Sequence, residues 1–234
     1  MFFRWDWLRP VLTAPIMPTL GIPTLTRRGR GTVKVFAYGI GNGVVEGAAE
    51  LAAKLASVHD AASARVVRPL GPDSTHPRGT RVQLKDFTAA PCPAPDGPVR
   101  PITDWLTAVQ ETFAPFAKDM AADGLAFLHT QMQAGRCGPV LAAAVEDRIV
   151  GAIGPMEVRP DAAGCPQLMP QYFAVLPEAR GQGLGRVLWR AAMHWGQSCG
   201  AAYQLLQTEV DGPSDRLCQS EGLTSLGFSH STRA

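Results

Sequence analysis

The chain has 234 residues, 46% apolar and 18% charged, enough to bury a core without disulfide or metal staples and too apolar for a disordered chain. Its formal net charge is +2 and its basic residues cluster only at Arg27-Arg28-Gly29-Arg30, which excludes a broad nucleic-acid footprint. Five cysteines with no C-x-x-C pair exclude a disulfide scaffold and point to a reducing, cytoplasmic compartment; no histidine stands at ligand spacing to another His or Cys, so no metal is expected.

The opening segment, Met1 to Leu25, is apolar but interrupted by Asp6, Arg9, Pro10, Pro15, Pro18 and Pro23. It falls short of the roughly 20 apolar residues of a membrane span, so it reads as an irregular arm and no membrane contact is expected. Thr32 to Tyr38 is β-branched and aromatic, a strand that ends in the glycine run Gly39-Ile40-Gly41-Asn42-Gly43. Val45, Ala48, Leu51, Ala52 and Leu55 then share one face of a helix over Val44 to His59, and Ala64 to Leu70 reads as a second strand. The result is a small β-α-β unit. A dinucleotide fingerprint would need a third glycine where Val44 stands, so the glycine run is read as a structural turn.

Proline- and glycine-rich stretches, Gly71 to Gly79 and Ala90 to Pro101, flank an alternating segment from Thr80 to Phe87. They suggest a division near residue 75, with residues 1–75 an N-terminal unit and 76–234 the main domain. Thr103 is positioned to cap a helix that presents Trp105, Leu106, Val109 and Phe113, with Pro115 as its kink or end. A second helical stretch runs from Phe116 to Gln133. Pro139 to Val145 and Arg148 to Val158 read as a hairpin around Glu146-Asp147, and Tyr172 to Leu176 reads as a buried strand.

That strand leads into Pro177-Glu178-Ala179-Arg180-Gly181-Gln182-Gly183-Leu184-Gly185 and then into a helix whose apolar positions are Leu184, Val187, Leu188, Ala191, Ala192 and Trp195. His194 lies off that face and reads as exposed. A strand, a glycine turn and a helix start together make a phosphate cradle: unpaired N–H groups point outward and the helix dipole favours negative charge. Arg180 and Arg186 add positive charge at its rim.

At these residues the sequence resembles the GCN5-related N-acetyltransferase (GNAT) superfamily, whose signature of Arg or Gln, two residues, Gly, one residue, then Gly or Ala is met by Arg180, Gly183 and Gly185. The likeness covers roughly residues 80 to 230. It continues through a strand from Tyr203 to Val210, a short helix from Ser214 to Ser220, and Gly222-Leu223 where the family has Gly-Phe. The resemblance implies an α/β (α+β) fold, with a mixed, mostly antiparallel central sheet flanked by helices and the N-terminal β-α-β unit as an extension outside it. That extension is open to three readings: a degenerate half of the same fold, a lid, or an element that makes a homodimer.

The resemblance further implies acetyl-CoA, or another acyl-CoA, as co-substrate, held by Arg180, Gly181, Gln182, Gly183, Leu184, Gly185 and Arg186, with the amides of Ala174 and Val175 facing the thioester. The acceptor would be an amine of a small molecule. Glu157 and Glu209 are the candidate bases, and Tyr172 is a third polar group on the strand. The family's tyrosine acid falls on Cys218, which reads either as a substitute acid or as a small buried hydrophobe. Two other readings stay open: transfer from an aminoacyl-tRNA, and a non-catalytic module that binds an acyl-CoA or a partner protein.

Overall fold

The computed structural model describes residues 19–24, 31–37, 42–74 and 79–234. Most of the N-terminal arm, the Arg27-Arg28-Gly29-Arg30 cluster, most of the first glycine run and the proposed division near residue 75 lie outside the described residues. The elements in chain order are β1 (Thr19–Thr24), β2 (Thr32–Ala37), α1 (Asn42–Val58), β3 (Ser63–Leu70), β4 (Thr80–Asp86), β5 (Val99–Pro101), α2 (Thr107–Glu111), α3 (Phe113–Asp119) and α4 (Leu125–Gln133). They continue as β6 (Leu141–Val145), β7 (Arg148–Gly154), β8 (Val158–Pro160), β9 (Pro166–Leu168), β10 (Tyr172–Val175), α5 (Leu184–Ser198), β11 (Tyr203–Glu209), α6 (Pro213–Ser220) and β12 (Thr224–Arg233). The segment Thr19–Thr24, read as part of an irregular arm, is a strand paired antiparallel to β2.

Contacts divide the chain into two units. One spans Lys85–Leu205; the other joins the described residues up to Leu84 with Leu206–Ala234.

In the second of these, strands run in the order β1-β2-β3-β12-β4 and on to the part of β11 beyond Leu205. The pair β2 and β3 is parallel and connected through α1, as the apolar periods require. Val33, Val35, Ala37 and Val66 point at Ala48 and Ala52 of α1 and form a core of small side chains. The C-terminal strand β12 pairs antiparallel with β3 on one side and β4 on the other. It bulges between Ser225 and Gly227, where Gly227 has φ 134° and a Cβ would stand 2.2 Å from Leu70 O.

A buried carboxylate ties this unit together. Asp215, in the first turn of α6, has no exposed surface. It accepts hydrogen bonds from Arg81 Nε (2.9 Å), Gln83 Nε2 (3.1 Å), Thr208 Oγ1 (2.9 Å), Gln219 Nε2 (2.8 Å) and the Asp211 amide (3.0 Å). α6 is thereby fastened to β4 and β11 by charge-assisted bonds.

In the other unit, four antiparallel strands run in the order β10-β7-β6-β5. β7 is buried from Ile149 to Gly154 because it is covered on both faces. Val109, Phe113, Phe116, Leu125 and Leu128 pack on Ile149, and Leu188 of α5 comes so close that a Cβ at Gly151 would stand 2.8 Å from its Cδ1. Glu146 and Asp147, with φ of 50° and 57°, make the tight turn of the β6–β7 hairpin. The strand stops at Gly154, short of the Val158 expected from the sequence.

The helical region is more broken than its periodicity suggests. Ile102–Asp104 is a 3-10 turn and α2 starts only at Thr107; Thr103 caps nothing, its hydroxyl donating to Asp104 instead. Gln110 Nε2 binds Trp105 O at 2.7 Å and delays the helix start. Pro115 sits in the first turn of α3, where its missing N–H costs no bond, so it neither kinks nor ends the helix. Gly124, with φ 82°, separates α3 from α4; a Cβ there would meet the Tyr172 ring at 2.3 Å.

Asp215→Ala leaves five donors facing a hole and is expected to lower the unfolding free energy by about 3–5 kcal/mol in a denaturant titration. Burial pushes the Asp215 carboxyl up, but the bonds from the Asp211 amide, Arg81 and Thr208 outweigh it and hold the group below its ordinary value of 3.8. Its contribution is therefore complete at neutral pH and disappears as pH falls through 3.8 and below, because the unfolded chain takes up the proton first. Asp215→Asn should flatten that acid limb.

Candidate active site

After β10, Pro177–Ala179 makes a short 3-10 turn, Arg180 is extended, and Gly181 and Gly183 take left-handed φ of 77° and 80°. These values favour glycine, and they turn the chain into α5 with no side chain capping the helix start. Among the described residues, the amides of Gly181, Gln182, Gly183, Leu184 and Gly185 have no protein acceptor, whereas those of Arg186 and Val187 close back on Gly183 O at 2.9 and 3.2 Å. Gly181, Gln182 and Gly183 are exposed. A Cβ at Gly181 or Gly183 would meet nothing within 4 Å. The turn is thus an open row of donors at the positive end of a 15-residue helix, with the exposed Arg180 and Arg186 beside it.

Arg180 has a second role that its sequence position did not reveal. Its Nε donates to Val175 O at 3.0 Å and braces the turn against β10. Gly185 rests on the same strand, 3.4 Å from Phe173 Cζ as measured from its ideal Cβ.

Strand alternation decides which β10 amides are open. Leu176 N–H bonds Val150 O, so Ala174 and Tyr172, in step with it, turn their amides to β7. Phe173 and Val175 turn theirs to the open edge of the sheet. Of the pair expected from the sequence, Val175 is therefore the outward one. Ala174 is buried with its amide in the ladder, and Phe173 is the other residue of β10 whose amide turns outward.

The other candidates fall in separate surroundings. Glu157 lies beyond the end of β7 and is ion-paired to Arg159 Nε at 2.6 Å, both side chains exposed. Glu209 faces outward on β11 with Gln207 and Leu205, opposite the buried Gln204, Leu206 and Thr208. Tyr172 is half-buried; its ring lies 6.0 Å from Phe127, and burial pushes its hydroxyl up from the ordinary value. Cys218 is buried on α6, and burial, then the Asp215 carboxylate beside it, pushes its thiol up to about 12. His194, read as exposed, is half-buried with Nδ1 2.9 Å from Cys92 O.

At the start of β11, Gln204 Nε2 donates to Gln171 Oε1 at 2.9 Å and to Met169 O at 3.4 Å. Neither glutamine was singled out in the sequence. The signal was present all the same: if Leu205, Gln207 and Glu209 face outward, Gln204 is a polar residue on the inward side. Among the described residues no group of three or more His, Cys, Asp or Glu is placed to hold a metal, and no helix is long and apolar enough to cross a membrane.

Residues 102–219 match the model of the acetyltransferase (GNAT) family. No curated protein matches the chain. Among solved structures it is similar to a GCN5-related N-acetyltransferase from Sphaerobacter thermophilus, at 17% identity over 92% of this chain and 76% of that one, with a TM-score of 0.56. It is also similar to a GNAT-family acetyltransferase from Colwellia psychrerythraea, at 10% identity over 92% of this chain and 84% of that one, with a TM-score of 0.55. At these identities the likeness is one of fold.

A thiol pushed up to about 12 carries almost no thiolate at neutral pH. In a timed reaction with a disulfide reagent, the exposed Cys199 should react within the native protein, and Cys218 only on unfolding. Fast native labelling of Cys218, read by peptide mass, would contradict its burial.

Proposed function

The chain belongs to the acetyltransferase (GNAT) family, and on that premise we propose that it moves an acetyl or other acyl group from coenzyme A to an amine of a small molecule by direct attack. The reading is carried by the row of unpaired amides from Gly181 to Gly185. A diphosphate needs several converging donors and a positive field, and this turn offers both without a side chain in the way. The coenzyme, when bound, supplies an activated thioester carbonyl; what remains for the protein is binding, orientation and proton handling.

In this reading Gly181, Gln182, Gly183, Leu184 and Gly185 hold the diphosphate through backbone N–H groups, and Arg180 and Arg186 supply charge. Arg180 also fixes the turn to β10 through Val175 O. The open-edge amides of Phe173 and Val175 are the donors for the arm of the coenzyme and its carbonyl, while Ala174 contributes a small buried side chain.

Proton removal from the attacking ammonium falls to a carboxylate. Of the two candidates, the Glu157 carboxylate is engaged by Arg159, whereas the Glu209 carboxylate has no partner among the described residues. Cys218 is a poor acid for the departing thiolate: an ordinary thiol has a pKa of about 8.5, so a thiol held near 12 would give up its proton uphill. Its role is packing on α6. Tyr172, packed on Gly124 and Phe127, shapes the wall at the start of β10.

Gly183→Glu puts bulk and negative charge into space that is empty in the free protein. Its folding cost is confined to the left-handed φ, roughly 1 kcal/mol. By titration calorimetry it is expected to weaken coenzyme A binding more than about tenfold, ~1.4 kcal/mol, and Arg180→Ala should weaken it by a smaller factor. Wild-type affinity in both variants would refute the diphosphate site.

A further inference from the structure

The sheet β10-β7-β6-β5 ends on β5, at the edge opposite β10, and the chain that follows β5 breaks a local rule. Trp105, Leu106, Val109 and Phe113 have helical spacing, yet α2 begins only at Thr107. Gln110 Nε2 holds Trp105 O at 2.7 Å and Thr103 O at 3.3 Å, which leaves Trp105 and Leu106 outside the helix. Leu106 is 76% exposed as a result. These two residues, with Val109, Arg100, Asp104 and Asp147 of the β6–β7 turn, line a cavity of about 300 Å³, at the small end of the range for ligand sites. Arg100, Asp104, Leu106 and Asp147 are all exposed, so the cavity is open to a solute.

Its charges are held apart. The guanidinium carbon of Arg100 lies 3.9 Å from the centroid of the Trp105 ring. Stacking occupies the face of the guanidinium and leaves the N–H groups of its edge available. Asp104 and Asp147 line the same cavity, but among the described residues Arg100 makes no ion pair with either. Asp104 accepts only the Thr103 hydroxyl at 3.1 Å, and the Asp147 carboxylate has no polar partner. The cavity thus offers one cation seated on an aromatic ring, two carboxylates, and an apolar wall of Leu106 and Val109. An anion alone would be repelled by the two aspartates, and a cation alone would leave Arg100 unanswered. A small molecule that carries both charges close together answers all three.

We propose that this cavity binds a free α-amino acid with an apolar side chain, its carboxylate on the edge of Arg100, its ammonium between Asp104 and Asp147, and its side chain against Leu106 and Val109. The site is independent of the glycine turn, and its occupancy requires no coenzyme.

Leucine, leucinamide and isocaproate separate the parts of this claim, because the amide lacks the carboxylate and the acid lacks the ammonium. Each is titrated into the full chain without coenzyme A and followed at the indole N–H of Trp105 by nitrogen–proton NMR. That N–H has no hydrogen-bond partner among the described residues, and Trp105→Phe identifies its resonance. Leucine should shift it, and each analogue should bind at least about tenfold more weakly, the factor of one lost charge-assisted contact. Arg100→Met should erase the advantage of leucine over leucinamide, and Asp104→Asn with Asp147→Asn its advantage over isocaproate. All three positions are exposed and Asn tolerates the left-handed φ of Asp147, so the fold is kept, which the unmoved resonances of the other tryptophans would certify. No binding of leucine, valine or phenylalanine up to about 10 mM would overturn the proposal. So would leucinamide bound as tightly as leucine, or leucine binding untouched by Arg100→Met. None of these outcomes bears on coenzyme A binding, which Gly183→Glu tests separately.

Discussion

No α-helix can pair its own first amides, and at the start of α5 that deficit is left open. At most helix starts a Ser, Asp or Thr side chain folds over to satisfy it. Here Gly183 occupies the cap position and Gly181 precedes it, both with left-handed φ and both without a side chain that could serve. The unpaired donors from Gly181 to Gly185 are affordable only because they face solvent, and that same exposure makes them reachable by an anion.

The helix start is useful because it is held in register with a strand edge. Arg180 Nε donates to Val175 O, and Gly185 lies against Phe173 and Val175, so the turn is fastened to β10. β10 is an edge strand, and such edges usually carry an aggregation risk. In the proposed reading the edge is instead the rail along which a ligand pairs, with Val175 and Phe173 supplying outward amides. Behind it α5 buries Leu188, Trp189, Ala192 and Met193, which fixes the axis along which the dipole points.

The other unit solves a different problem. Its β-α-β core is built from valines and alanines, which bury little area per residue, and it holds its C-terminal helix by polar bonds. Asp215 collects five donors from β4, β11, the turn before α6 and α6 itself. Such a buried carboxylate stabilises only while every donor is in place, so it sets α6 in one position more sharply than apolar packing would.

The helical period from Leu184 to Trp195, the glycine turn before it and the strand before that were legible from the residues alone, because each is a local pattern whose physics needs no partner from elsewhere in the chain. The same holds for the β-α-β unit and for the hairpin around Glu146-Asp147. Tertiary structure decided the rest. β12 was not read as a strand because Thr224 to Arg233 is half polar and becomes one only when β3 and β4 flank it. The helices between Thr107 and Gln133 broke where Tyr172 claimed the space beside Gly124 and Gln110 reached back to Trp105. Which β10 amides are open followed from the register with β7, and the isolation of Gln204 Oε1 from the hold on its Nε2 by the Gln171 side chain and the Met169 carbonyl, more than thirty positions away. Period and turn chemistry are properties of neighbours in sequence; an amide's direction and a carbonyl's loneliness are properties of neighbours in space.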